Sequence, residues 1–72
     1  MSPSALGNRL KEMRARHGLT QAQLAEAVGV TRKSINTVEN RVFIPSTVLA
    51  LKLAAALKVS VEELFYLDDD RA

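Results

Sequence analysis

Apolar side chains fall along this chain in five groups, each with a helical rather than an alternating rhythm. Leu6, Leu10 and Met13 follow i, i+4, i+7 spacing, with Arg9, Lys11, Glu12, Arg14 and Arg16 between them. The pattern predicts an amphipathic first helix that begins near Leu6 and ends at His17-Gly18. Thr20 then precedes Gln23 by three residues, the spacing of a capping box, and Leu19 and Leu24 hold the two positions of a hydrophobic staple. A second helix is expected from there to about Val28, closed by Gly29, because glycine readily takes the left-handed conformation that ends helices.

The same grammar recurs downstream. Thr31 heads a third helix with Val30 and Ile35 as its staple, and Val38 extends the apolar stripe toward Asn40. The loop Arg41-Val42-Phe43-Ile44 ends at Pro45, after which Ser46 caps a fourth helix. Val48, Leu49, Leu51, Leu53, Ala54 and Leu57 surround that helix more fully than the apolar residues of the others do, which predicts a central place in the core. Ser60 with Glu63 and Val59 with Leu64 repeat the box and the staple for a short fifth helix reaching about Tyr66. No stretch alternates long enough to predict a strand. The expected fold is all-α, five helices in a single domain over residues 1–72, with Asp68-Asp69-Asp70 as a solvated tail.

Composition narrows the chemistry. A 72-residue chain buries a modest share of its surface and needs an efficient core, which the 47% of hydrophobic residues supplies. With no cysteine there is no disulfide framework and no thiolate metal site, a usage at home in the cytoplasm. No segment approaches the length of a bilayer span, so no membrane role is expected. The net charge of +2 is small, but residues 1–41 carry seven Lys or Arg against three Glu, and the remainder three against five acids. That segregation suits a basic face for nucleic acid, although scattered solvated charge would give the same count.

Two short helices joined by a glycine-containing turn make a helix-turn-helix, and the run GLTQAQLAEAVGVTRKSINTVEN fits one at about residues 20–40. Ala25 is small where the two helices cross, and Leu24, Val28, Val30, Ile35 and Val38 face inward. Spacing alone is weakly specific, since any small helical bundle could hold one tight glycine turn.

The stretches NRLKEMRARHGLTQAQLAEAVGV, TRKSINTVEN and IPSTVLALKLAAALKVSVEELF together resemble the lambda-repressor and Cro family of helix-turn-helix regulators, over almost the whole chain. The resemblance implies that Gln21 meets a DNA phosphate at the start of the second helix. It implies that Arg32, Lys33 and Thr37 reach base edges in the major groove, with Ser34 and Asn36 as supplementary contacts and Asn40 and Arg41 near the DNA backbone. It also implies a partly buried ion pair between Arg14 and Glu39. Arg41 departs from the family, whose members often have glycine after the Glu-Asn pair.

Other chemistry is thinly supported. His17 is the single histidine and reads as a helix-end residue, Glu63 is accounted for by capping, and neither it nor Glu62, Asp68, Asp69 and Asp70 joins a nucleophile-base or phosphate-loop motif. The expectation is a non-enzymatic, sequence-specific regulator of double-stranded DNA, acting as a repressor, without cofactor, metal or small-molecule ligand. A homodimer is expected through Val61, Leu64, Phe65, Tyr66 and Leu67, with closure of the monomer's own core as the alternative use of those residues. A DNA-binding antitoxin or a restriction-modification controller would share the same site, and a protein-interaction module would keep the fold without using it.

Overall fold

The structure is a computed structural model and describes residues 6–68. Its elements in chain order are β1 (Leu6–Asn8), α1 (Leu10–Arg16), α2 (Gln21–Val28), α3 (Arg32–Glu39), α4 (Thr47–Leu57), α5 (Val61–Leu64) and β2 (Phe65–Leu67). The five-helix architecture stands, and a small antiparallel ribbon joins the two ends, pairing Leu6 with Leu67, Gly7 with Tyr66 and Asn8 with Phe65. Asp69 and Asp70 of the expected tail lie outside the described residues.

Four helices start as their capping residues dictate. The hydroxyls of Thr20, Thr31, Ser46 and Ser60 accept from the amides of Gln23, Ser34, Leu49 and Glu63, and at Thr20 and Ser60 the reciprocal half of the capping box is present. Gly29 ends α2 in the left-handed region at φ 77° and turns the chain into α3. The first helix departs from expectation. Leu6 is in β1, and α1 opens only at Leu10, whose amide donates to Asn8 Oδ1 in a local turn that substitutes for helix. Likewise α5 stops at Leu64, and Phe65 and Tyr66 extend into β2 rather than continuing the helix.

The ribbon is held by contacts that local patterning does not encode. Tyr66 lies across Gly7, where a Cβ would collide with the ring, and the Arg9 guanidinium sits 4.6 Å from the centre of that ring. The Arg9 amide donates to Leu64 O at 2.8 Å.

One buried cluster unites the helices: Leu10 and Met13 from α1, Leu24, Ala25 and Val28 from α2, Ile35 and Val38 from α3, Leu49, Leu53, Ala54 and Leu57 from α4, then Leu64 and Phe65. Two of the apolar residues expected to place α4 centrally are exposed instead. Leu49, Leu53 and Leu57 form the inward stripe, so Val48 and Leu51 point away from it. His17 Nε2 lies 2.8 Å from Leu57 O, tying the end of α1 to the end of α4.

Candidate nucleic-acid interface

The candidate surface is built on the α2-turn-α3 unit. Thr31 and its cap fix where α3 begins, and this sets Arg32 and Lys33 in its first turn, both exposed. Ile35 and Val38 are the buried side of the same helix, so the residues between them form the opposite, outer side. Asn36 is exposed there, and its Oδ1 accepts from Asn40 Nδ2 at 3.2 Å. Ser34 and Thr37 are half-buried and their hydroxyls are engaged. Ser34 Oγ lies 3.0 Å from Thr31 Oγ1, and Thr37 Oγ1 donates to Ser34 O at 3.0 Å.

Behind α3 stands a polar clamp. Arg14 Nε and Nη2 donate to Glu39 Oε2 and Oε1 at 2.7 and 3.4 Å, and Arg14 Nη1 donates to Leu19 O at 2.9 Å. The Glu39 side chain is only 5% exposed and that of Arg14 15%, so the pair works with little water between its members. Gln21 completes the clamp: its Nε2 donates to Glu39 Oε1 at 3.0 Å, while its Oε1 accepts from Arg32 Nη1 at 3.5 Å. One carboxylate therefore connects α1, α2 and α3, and the chain of contacts reaches the first residue of α3. Gln21 is also the first residue of α2, where backbone amides lack helical partners and attract anions.

The α3–α4 loop returns along the end of α3, with the amides of Val42 and Phe43 donating to Thr37 O at 2.9 and 3.2 Å. Arg41 adopts φ 62°, the left-handed region, which accounts for the glycine that resembling proteins often carry there, and its Nη1 lies 2.7 Å from Asp68 Oδ2.

The structure thus gathers Gln21, Arg32, Lys33, Ser34, Asn36 and Thr37 on or beside the outer side of α3, with Asn40 and Arg41 at its end. It does not gather the five residues expected at a dimer contact. Leu64 and Phe65 are buried in the chain's own core and Val61 packs partly against it, which leaves Tyr66 and Leu67 on the surface. Three contributors escaped the sequence reading. Asn8 Nδ2 donates to Val38 O at 2.9 Å, bracing α3 from the ribbon, and Val42 and Phe43 stand beside the outer side of α3. The signal for Asn8 was its place two residues before Leu10, typical of a local side-chain turn; no signal marked its partner thirty residues away. Among the described residues, no group of three or more His, Cys, Asp or Glu is placed to hold a metal ion, and no helix is long and apolar enough to cross a membrane.

Similarity to known proteins follows this geometry. A family model described as "Helix-turn-helix" matches residues 10–64. The HTH-type transcriptional regulator YgzD of Bacillus subtilis is 41% identical over 63 residues, which cover 88% of this chain and 96% of that protein. Among solved structures, the restriction-modification controller protein C.AhdI from Aeromonas hydrophila superposes with a TM-score of 0.73 at 40% identity, over 76% of this chain and 83% of that one. The P22 c2 repressor, solved in complex with a synthetic operator, gives a TM-score of 0.73 at 30% identity, over 75% of this chain and 82% of that one.

Proposed function

Since the chain belongs to the helix-turn-helix family of transcriptional regulators, a family of non-enzymatic proteins, we propose that it is a sequence-specific repressor that reads double-stranded DNA with α3 in the major groove. The observation that carries this reading is the exposed Arg32-Lys33 pair at the start of a helix braced from behind by Arg14, Glu39 and Gln21. Arg and Lys are the usual donors to guanine O6 and N7, and such contacts discriminate only if the helix carrying them is held in a fixed orientation. Gln21 has a second role to offer. Its side-chain nitrogen carries two hydrogens, one directed at Glu39, so the other is available to a phosphate, as is the backbone amide at the head of α2. Asn40 and Arg41 lie where the loop would meet the sugar-phosphate chain. Residues 1–72 act as one domain in this reading.

We further infer a homodimer on DNA, since one small module offers little interface for tight specific binding. Tyr66 and Leu67 remain for such a contact, joined by Val48 and Leu51 on the outer side of α4. A second reading, a restriction-modification controller, is favoured by the 40% identity to C.AhdI. It uses the same surface and differs in the genes controlled.

The test is a duplex selection from a random pool followed by binding isotherms on the selected operator and its single-base variants. Arg32→Ala or Lys33→Ala should cost about 1 to 3 kcal/mol on the best operator and relax preference at one or two base pairs. Gln21→Ala should weaken all sequences similarly. Unchanged base preference in both Arg32→Ala and Lys33→Ala would refute the docking of α3.

A further inference from the structure

Between the outer side of α3 and the returning α3–α4 loop lies an open cleft of ≈330 Å³, lined by Thr31, Lys33, Ser34, Thr37, Val42 and Phe43. Two of its walls are apolar side chains that the protein leaves in solvent: Val42 is 77% exposed and Phe43 50%. A loop beside DNA ordinarily offers donors to phosphate. Beyond Asn40 and Arg41 this one offers few at the cleft, because the Val42 and Phe43 amides both donate to Thr37 O. The lining hydroxyls are engaged as well, Thr31 and Ser34 with each other and Thr37 with Ser34 O. What the cleft presents is therefore methyl groups, an aromatic ring and, at its rim, the Lys33 ammonium, which forms no ion pair among the described residues.

We propose that this cleft is a subsite for the C5-methyl group of a thymine, placed next to the bases read by Arg32 and Lys33. The proposal rests on the reading of α3 as the major-groove helix and adds a second kind of specificity to it. Beside the hydrogen-bond donors and acceptors that the bases expose in that groove, the thymine C5-methyl is the apolar group that projects into it, where cytosine has only a hydrogen, so an apolar cleft continuous with the reading surface is complementary to thymine. Lys33 on the rim supplies the positive charge that keeps the cleft against the duplex. Phe43 and Val42 become specificity-determining residues through contact with the base rather than with its backbone.

The experiment uses the intact chain and the operator recovered by selection, with each thymine replaced in turn by deoxyuridine, which removes the methyl and keeps the base pair. In the wild-type protein one thymine per half-site should show a loss of about fourfold on replacement, the factor for one methyl-sized group withdrawn from an apolar contact. In Phe43→Ala the thymine and deoxyuridine operators should bind alike, and both more weakly than wild type binds thymine. Val42→Ala provides an independent variant if circular dichroism shows that Phe43→Ala is unfolded. A flat deoxyuridine scan in the wild type, or a methyl preference that persists in both variants, overturns the subsite while leaving α3 as the reading helix. A flat scan with unchanged affinity in Phe43→Ala would show that the cleft makes no contact with DNA. Failure of the wild type to select any sequence removes the docking of α3, and the subsite with it.

Discussion

The Glu39 carboxylate accepts from Arg14 on α1 and from Gln21 on α2, so its removal should be felt in the fold before it is felt on DNA. Glu39→Ala would leave the guanidinium of Arg14 with Leu19 O as a partner and no opposing charge, at a side-chain exposure of 15%. Breaking one member of such a pair destabilises a protein by about 3 kcal/mol or more, because the remaining charge stays desolvated. The double replacement Arg14→Met with Glu39→Leu should recover most of that loss in urea denaturation, yet bind the operator more weakly, since Gln21 would then lack its anchor. Glu39→Ala within about 0.5 kcal/mol of wild type would show the clamp to be dispensable. Arg41 presents the opposite case. Its left-handed backbone stores on the order of 1 kcal/mol, which glycine would release. Against that stands the loss of the side chain's contacts, among them the ion pair to Asp68, both side chains more than a third exposed, worth about 0 to 1 kcal/mol. Arg41→Gly should therefore be neutral or slightly more stable by thermal denaturation, while losing affinity for DNA; marked destabilisation would show that the side chain's contacts outweigh the strain.

Short elements depend on their ends, and α5 is the extreme case, with four residues and too few helical bonds to persist unaided. Its Ser60 amide donates to Glu63 Oε1 at 2.8 Å, and the Glu63 amide donates to Ser60 Oγ at 3.1 Å. The backbone hydrogen bond from Ser60, helped by its hydroxyl, holds the Glu63 carboxyl below its ordinary pKa. A lowered folded-state value means that the unfolded chain takes up the proton first. The contribution of this box is thus fully present above the ordinary value and fades as the pH falls through it and then through the lower folded-state value. Glu63→Gln keeps a side-chain acceptor and cannot ionise, so its stability difference from wild type should shrink as the pH drops from 6 to 3 in denaturation series; a constant difference would disconnect the box from acid sensitivity. This box and that of Thr20 were legible in the sequence because capping is a three-residue signal. The ribbon was not. Leu6 falls in phase with the α1 stripe, and its strand partner Leu67 lies at the other end of the chain, beyond the range of any local pattern. On α4 apolar residues stand on all sides, so periodicity could not separate Leu49 and Leu53 from Val48 and Leu51. The exposed Lys52, one turn after Val48 and adjacent to Leu51, was the usable mark of the outer side. At the candidate interface the positions of Arg32 and Lys33 followed from the Thr31 cap, whereas the Gln21–Glu39 contact depends on how α2 and α3 cross.

At the scale of the whole molecule, the proposed dimer would have to set the two reading helices about 34 Å apart, one turn of DNA, to meet successive half-sites. The proposed dimer makes a quantitative demand on electrostatics. If Asn40, Arg41 and the head of α2 in each protomer engage about three phosphates, the logarithm of affinity should fall with the logarithm of salt at a slope of about −3 on a half-site duplex, near −0.9 per phosphate. A full site bound by both protomers should then give about twice that slope. Inserting half a helical turn, about 5 base pairs, between the half-sites rotates one groove to the far side of the duplex and should return the slope to the half-site value. Light scattering on the same complexes should count two protomers on the full site and one on the half-site duplex. Leu67→Asp and Leu51→Asp place charge on exposed apolar positions and should leave helical content intact; whichever side chain lies in the contact should reduce the full-site slope and leave half-site binding unchanged. Equal slopes on full and half-sites, with a single protomer on each, would establish a monomeric regulator and remove the dimer.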